Sequence, residues 1–215
     1  MIVSPGRRFI FVHIPKTGGT ALALALEARA RADDILVGDT PKARRRRARL
    51  RGVVTAGRLW KHSTLADGLG LYTEAEALDW FCFTLVRNPW DRMVSYYHWL
   101  RAQRFAHPAV ALAQRLDFAA FLADPQTRAS LAGAPYGSYL RLPGSAGPVG
   151  HFLRLEHLEE DAGPLEAHLG FRLTPLAPAN ASQRGRDWRP YYSDAAAESV
   201  AQLAAEDIAR FHYSF

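Results

Sequence analysis

The sequence predicts an α/β protein, a three-layer fold with a central, mainly parallel sheet, formed by a single domain over residues 1–215. Three observations carry this. Trp80-Phe-Cys-Phe-Thr-Leu-Val86 is almost wholly apolar, as a strand covered on both faces must be. Phe9 to Ile14 is a second run of β-favouring residues, and it gives way at once to Ala/Leu-rich helical sequence. Extended and helical stretches then alternate toward the C-terminus, the pattern of a layered, mostly parallel fold.

Pro15 ends the first strand by fixing φ and withholding an N–H, and it biases Ile14 toward extended geometry. Lys16-Thr17-Gly18-Gly19-Thr20 follows as a short turn. Ala21 to Ala32 reads as helix, because Ala and Leu are strong helix formers and Leu22 and Leu26 lie four apart. Asp33 to Thr40 reads as loop or short strand. Gly52 to Gly57 is expected to be a short second strand leading into Arg58-Leu-Trp-Lys-His62-Ser63-Thr64. Thr73 to Asp79 has helical composition, with Glu74 and Glu76 near its start.

Arg87-Asn-Pro-Trp-Asp-Arg92 closes the apolar strand, with Pro89 placed to open a helix. Met93 to Arg104 continues that helix and is dense in aromatics (Tyr96, Tyr97, Trp99). Asp117 to Leu122 is a short helix halted by Pro125, and Gly133 to Gly150 reads as loop. Phe152 to Leu155 is a further strand, followed by helix from about His157 to Leu169 with Gly170 as its stop. Leu173 to Tyr192, with three prolines, has no clear periodicity, and a stretch of that length in a compact domain is usually functional or disordered. Asp194 to Arg210 is an amphipathic helix capped by Ser193 or Asp194, with Val200, Leu203, Ile208 and Phe211 on one face.

Composition excludes several classes. The chain is 48% hydrophobic and 22% charged, as in an ordinary globular protein. No apolar run approaches eighteen residues, so no transmembrane segment is expected, and the N-terminus makes a poor secretory signal. One cysteine, Cys82, rules out an internal disulfide framework and a Cys-based zinc cluster. A cytoplasmic location is the default expectation. The net charge of +6 is concentrated, since Lys42, Arg44 to Arg47, Arg49 and Arg51 place seven cations within ten residues. That run reads first as a solvated basic face; its sharper reading is an electrostatic funnel for an anionic substrate or polyanion. No aromatic interleaving accompanies it, and a nucleic-acid partner is not expected.

The chemistry lies at two strand ends. Lys16 to Thr20 offers an ammonium, two hydroxyls and two side-chain-free backbone units at a helix N-terminus, where free N–H groups and the dipole favour an oxyanion. Arg87, with Ser95 eight residues on, offers a second anion-binding pair. Loops at the carboxyl ends of neighbouring parallel strands converge in an open sheet, so the two would grip separate anionic groups of one ligand. An ordinary P-loop would need G-x-x-x-x-G-K-[ST]; here Lys16 precedes the glycines. Arg87 also stands where such an NTPase needs an aspartate for Mg²⁺. No metal is expected.

His13-Ile-Pro-Lys-Thr-Gly-Gly-Thr20 together with Leu85-Val-Arg-Asn-Pro-Trp-Asp-Arg-Met-Val-Ser95 resembles the two donor-binding motifs of PAPS-dependent sulfotransferases. PAPS is 3′-phosphoadenosine 5′-phosphosulfate. The wording is most similar to the Golgi-type carbohydrate branch and its bacterial relatives. Leu155 to Asp161, Asn180-Ala-Ser182, Tyr191-Tyr192 and Asp207 to Tyr213 resemble later parts of the family pattern. The resemblance implies a P-loop-like sulfotransferase fold and sulfuryl transfer from PAPS, leaving PAP, to an acceptor hydroxyl on a glycan or glycoconjugate. It implies that Lys16, Thr17, Gly18, Gly19 and Thr20 hold the 5′-phosphosulfate, while Arg87 and Ser95 hold the 3′-phosphate. Lys16 would also meet the charge on the leaving phosphate.

His62 is the candidate general base, since an imidazole titrates near neutrality; a structural or acceptor-binding role is its alternative. His13, inside the loop motif, reads as structural. Trp90 and Trp188 read as core or loop anchors, and Arg184 and Arg186 as solvated. Asn180-Ala-Ser182 matches a glycosylation acceptor pattern. Two other functions stay open on the residues alone: a non-catalytic nucleotide or polyanion binder, and an ATP-dependent kinase on a related P-loop scaffold.

Overall fold

A computed structural model of the chain describes residues 1–177, 179, 185 and 187–215. In chain order the strands and helices are β1 (Ile2–Ser4), β2 (Phe9–Val12), α1 (Gly19–Ala28), β3 (Ile35–Leu36), α2 (Pro41–Arg46), α3 (Glu74–Asp79), β4 (Phe81–Val86), α4 (Pro89–Arg101), α5 (Pro108–Arg115), α6 (Phe118–Ala123), α7 (Pro125–Ala132), β5 (His151–Arg154), α8 (Leu158–Asp161), α9 (Gly163–Leu169), α10 (Asp194–Leu203) and α11 (Ala205–Phe211). They fall into two compact units: Met1–Val86 with Tyr136–Asn180, and Arg87–Pro135 with Ala181–Phe215. None of the described helices is long and apolar enough to cross a membrane.

The first unit holds a five-stranded sheet in the order β3-β1-β2-β4-β5. β2, β4 and β5 run parallel, as the sequence led us to expect, with Phe11 opposite Phe83 and Leu85 opposite Leu153. β1, which local pattern does not announce, adds an antiparallel edge and pairs with both β2 and β3. Alternation along the strands sorts the side chains into two layers. Phe9, Phe11, Phe83, Leu85 and Leu153 pack against Leu22, Ala23 and Leu26 of α1 and Leu165 and Leu169 of α9. Val3, Ile10, Val12 and Cys82 face the other way, onto Leu65, Tyr72, Ala77 and Leu140. Burial on both faces is why β4 reads as an unbroken apolar run.

The second unit is helical and closes on its own core. Trp90, Met93, Val94, Tyr97 and Leu100 of α4 meet Val110, Ala113, Phe118, Phe121, Leu122 and Val200. Trp90 stacks on Trp188 at 6.2 Å and donates its indole N–H to the Ala197 carbonyl at 2.9 Å. Both tryptophans are core residues, 4% and 8% exposed.

Several local expectations change. Gly52 to Gly57 does not form a strand. Gly52 takes a φ of 76°, and Val53 and Val54 are exposed, so the segment has no buried face to pair. Its backbone is tied instead by Ala56 N–H to the Leu69 carbonyl and Gly57 N–H to the Asp67 carbonyl. Helix α1 begins two residues before Ala21 and stops at Ala28 rather than Ala32. The helix expected over His157 to Leu169 is two helices, because Pro164 can sit in a first turn but not continue one. Pro125, which ends α6, also opens α7, with the Asp124 carboxylate accepting from Gln126 N–H at 2.9 Å. The C-terminal helix breaks at Ala204 into α10 and α11. Asn180, Ser182, Arg184 and Arg186 lie outside the described residues.

Phe83 is fully buried at the centre of the sheet, 5.3 Å from the Phe11 ring and 5.9 Å from that of Phe9. Phe83→Ala is expected to lower unfolding free energy by about 3–5 kcal/mol, read as a reduced urea midpoint with an unchanged slope.

Candidate active site

The loop after β2 is built by close packing around two glycines. Lys16 has a φ of 67° and Gly18 a φ of 86°, so the chain reverses sharply between Pro15 and α1. A side chain at Gly18 would be strained, and its Cβ would meet Leu155 at 2.8 Å. A Cβ at Gly19 would meet the His13 ring at 2.3 Å. The Thr17 hydroxyl, fully buried, donates to the Ile14 carbonyl at 3.0 Å and ties the loop back across the proline. Thr17 thus braces the loop from within.

No side chain caps α1, whereas Thr40, Thr73, Asn88, Asp117, Asp124 and Ser193 cap α2, α3, α4, α6, α7 and α10. The Ala21 N–H is taken by the Gly18 carbonyl at 3.0 Å. The leading N–H groups, those of Gly18, Gly19 and Thr20, and the positive end of the helix dipole form a ready site for an oxyanion. Lys16 stands half-buried at its edge.

His62 joins this loop from 49 residues away. Its Nδ1 lies 2.7 Å from the His13 carbonyl oxygen. A carbonyl only accepts, so Nδ1 carries the proton and Nε2 is left as the basic atom. The His13 and His62 rings meet edge-on at 4.7 Å. Burial is the largest influence on His62 and pushes its pKa down to about 4; the bond to the His13 carbonyl works the other way, and the Lys61 charge adds to the lowering. Burial and the neighbouring His62, Lys61 and Lys16 charges hold His13 well below its usual range too. Both imidazoles are neutral at physiological pH.

The segment carrying His62 is itself pinned. Ser63 is fully buried, and its hydroxyl accepts from Trp60 N–H at 2.9 Å while lying 2.8 Å from the Arg58 carbonyl. Lys61 pairs with Asp39 at 2.7 Å. Thr64 and Asp67 bond reciprocally, each side chain accepting from the other's backbone N–H.

In the second unit Arg87 directs both Nε and Nη2 onto Asp91 Oδ2, at 2.8 and 2.6 Å. Asn88 caps α4 by accepting from Trp90 and Asp91 N–H groups. Ser95 is 7% exposed and lies one turn beyond Asp91 on the same helix face. Asp91 fixes the Arg87 guanidinium, a pairing that the four-residue spacing of the two makes legible in sequence. The structural role expected of His13 extends to its backbone carbonyl, which no side-chain pattern reveals.

The basic run divides by function. Lys42 donates to the Glu27 carbonyl, Arg46 to the Arg31 carbonyl at 2.7 Å, and Arg49 to the Ala32 carbonyl. These three secure the C-terminal end of α1 and the loop after it. Arg44, Arg45, Arg47 and Arg51 are exposed.

Two outcomes follow from this geometry. Gly19→Ala should cost about 1–3 kcal/mol through overpacking against His13, read by urea denaturation, with displaced His13 and His62 ring resonances in NMR spectra. The second concerns pH. His62 has a folded pKa of about 4 against an unfolded value of 6.5, so the unfolded chain binds more protons between those values. Its contribution is full above pH 6.5 and is lost as pH falls toward 4. Thermal unfolding at stepped pH should show a falling Tm over that window, shallower in His62→Gln; a flat profile in both would contradict it.

Comparison with known proteins places the fold and the family. No curated protein matches the chain in sequence. Among solved structures, mouse sulfotransferase SULT7A1 complexed with PAP is similar at a TM-score of 0.55 and 16% identity, over 95% of this chain and 84% of that one. At that identity the likeness speaks for the fold, a mixed α/β architecture around a partly parallel sheet. The model of the Sulfotransferase family matches residues 1–131, more than half of the 215, and it covers the loop at Lys16, the His62 segment and the Arg87–Ser95 pair: the chain belongs to the sulfotransferase family.

Proposed function

We propose that this protein moves a sulfuryl group from PAPS to an acceptor hydroxyl on a carbohydrate, working as one sulfotransferase domain. The observation that carries the reading is the 2.7 Å bond from His62 Nδ1–H to the His13 carbonyl. It supports a neutral base, with Nε2 free, joined directly to an anion-binding loop. Membership of the sulfotransferase family supports sulfuryl transfer as the reaction.

In this reading the backbone N–H groups of Thr17, Gly18, Gly19 and Thr20 hold the 5′-phosphosulfate oxygens. Arg87, steadied by Asp91, and Ser95 hold the 3′-phosphate. His62 Nε2 takes the acceptor hydroxyl proton as the acceptor oxygen forms its bond to sulfur. The bond from sulfur to the bridging oxygen breaks, and its electron pair stays on the 5′-phosphate. Lys16 meets that growing charge. Sulfuryl transfer develops charge on oxygens and leaves little covalent chemistry to the protein, so positioning and preorganised donors are what it supplies. A pKa of about 4 keeps His62 neutral in the free enzyme but makes it a weaker base than the near-neutral imidazole the sequence suggests; the negative charge of a bound donor stabilises its protonated form and raises that pKa.

Lys16→Ala should lower kcat by about 10²–10³-fold with an unaltered circular dichroism spectrum; unchanged turnover would remove Lys16 from the mechanism. His62→Ala should lower kcat by about 10²–10⁴-fold with nearly unchanged PAP affinity by calorimetry. Wild-type PAP binding should need no Mg²⁺, and an ATP and Mg²⁺ requirement would favour a kinase instead. The acid limb of kcat/KM, which reports the free enzyme, should lie well below pH 6.5, and that of kcat should lie higher.

A further inference from the structure

Trp60 is the exposed member of the five tryptophans. It is 49% exposed, whereas Trp90 and Trp188 are buried and Trp80 and Trp99 are half-buried. Nor does it sit on a loose segment, since its N–H donates to the buried Ser63 hydroxyl and Ser63 N–H donates to its carbonyl at 3.1 Å. Its ring centroid is 5.0 Å from that of His62, and the planes are almost perpendicular at 84°. A rigid indole left half in water forgoes burial that a tryptophan ordinarily gains. The His13 ring also meets His62, at 4.7 Å, but is buried, so of these two neighbouring rings the indole is the one open to solvent.

From this juxtaposition we infer that Trp60 is an acceptor platform, receiving the C–H face of a pyranose ring whose hydroxyl meets His62 Nε2. The inference rests on the proposed role of His62. An acceptor oxygen within about 3 Å of Nε2 brings its carbon skeleton into the neighbourhood of an indole only 5.0 Å from the imidazole. Sugars suit such a surface. A pyranose presents an apolar C–H face with hydroxyls around its rim, and the negative face of an aromatic ring attracts those C–H groups. The stacking fixes which hydroxyl is offered to the base, so Trp60 acts on acceptor choice and leaves donor binding to the loop at Lys16.

The experiment compares wild type, Trp60→Ala and Trp60→Phe in transfer of labelled sulfate from PAPS to a panel of methyl pyranosides and to the acyclic polyol glucitol. PAP affinity is measured in parallel by calorimetry. Wild type should sulfate at least one pyranoside. Trp60→Ala should raise its KM about tenfold or more with kcat changed less than threefold, Trp60→Phe should restore most of the loss, and PAP affinity should be equal in all three. An unchanged KM in Trp60→Ala, an equal loss on glucitol, or wild-type transfer to glucitol but to no pyranoside each overturns the platform while PAP binding keeps the donor reading intact. Failure of wild type to bind PAP removes the donor reading, and the platform with it.

Discussion

The site in the first unit depends on one hydrogen bond, that from His62 Nδ1–H to the carbonyl of His13. It selects the tautomer of His62, aims the ring, and anchors the segment after Arg58 to the loop that follows β2. The bond is short and partly buried, so its loss would leave a carbonyl and an imidazole N–H without compensation, a cost of about 1–3 kcal/mol. His13 can hold its place because Gly19 has no side chain to displace it. The loop's glycines thus serve two ends at once: they permit the tight backbone path, and they make room for the His13 ring, whose backbone carbonyl orients His62.

Helix α1 is treated differently at its two ends, and the difference follows its dipole. The C-terminal end and the loop after it are served by Lys42, Arg46 and Arg49, which donate to carbonyls of Glu27, Arg31 and Ala32. Cations are favourable there. At the N-terminal end, helix capping is absent and Gly18 stands at the N-cap. A helix with a cation on a carbonyl of its last turn and no capping side chain at its positive end is suited to receive an anion. The cluster of arginines that reads in sequence as one basic patch is thereby two things: a clamp on α1 and an exposed set at Arg44, Arg45, Arg47 and Arg51.

The two compact units each carry a core of their own. The sheet of the first is buried on both faces, and the aromatic core of the second gathers α4, α5, α6 and α10 around Trp90 and Trp188. In each, the residues of the two sequence motifs are placed by regular elements: Lys16 to Thr20 by the end of β2 and the start of α1, Arg87 and Ser95 by the cap and second turn of α4. Arg87 is held by Asp91 through two donors, a contact that restrains the orientation of its guanidinium.

The sequence by itself determined the elements whose causes are local. An apolar run bounded by Trp80 and Arg87 is a buried strand; Pro15 and two glycines end a strand and open a helix; Asn88-Pro89 starts another; Gly170 stops one with its left-handed φ of 74°. Each of these signals acts over a few residues, and each is visible in one line of text. Only the tertiary structure decided the rest. Gly52 to Gly57 has the composition of a strand but joins no sheet among the described residues, its backbone bonding instead to Leu69 and Asp67. The seven cations between Lys42 and Arg51 look alike until carbonyls from α1 and its following loop claim three of them. The proton of His62 was assigned by a carbonyl 49 positions away, because backbone oxygens carry no residue identity and long-range contacts are chosen by packing, which no short stretch of sequence contains.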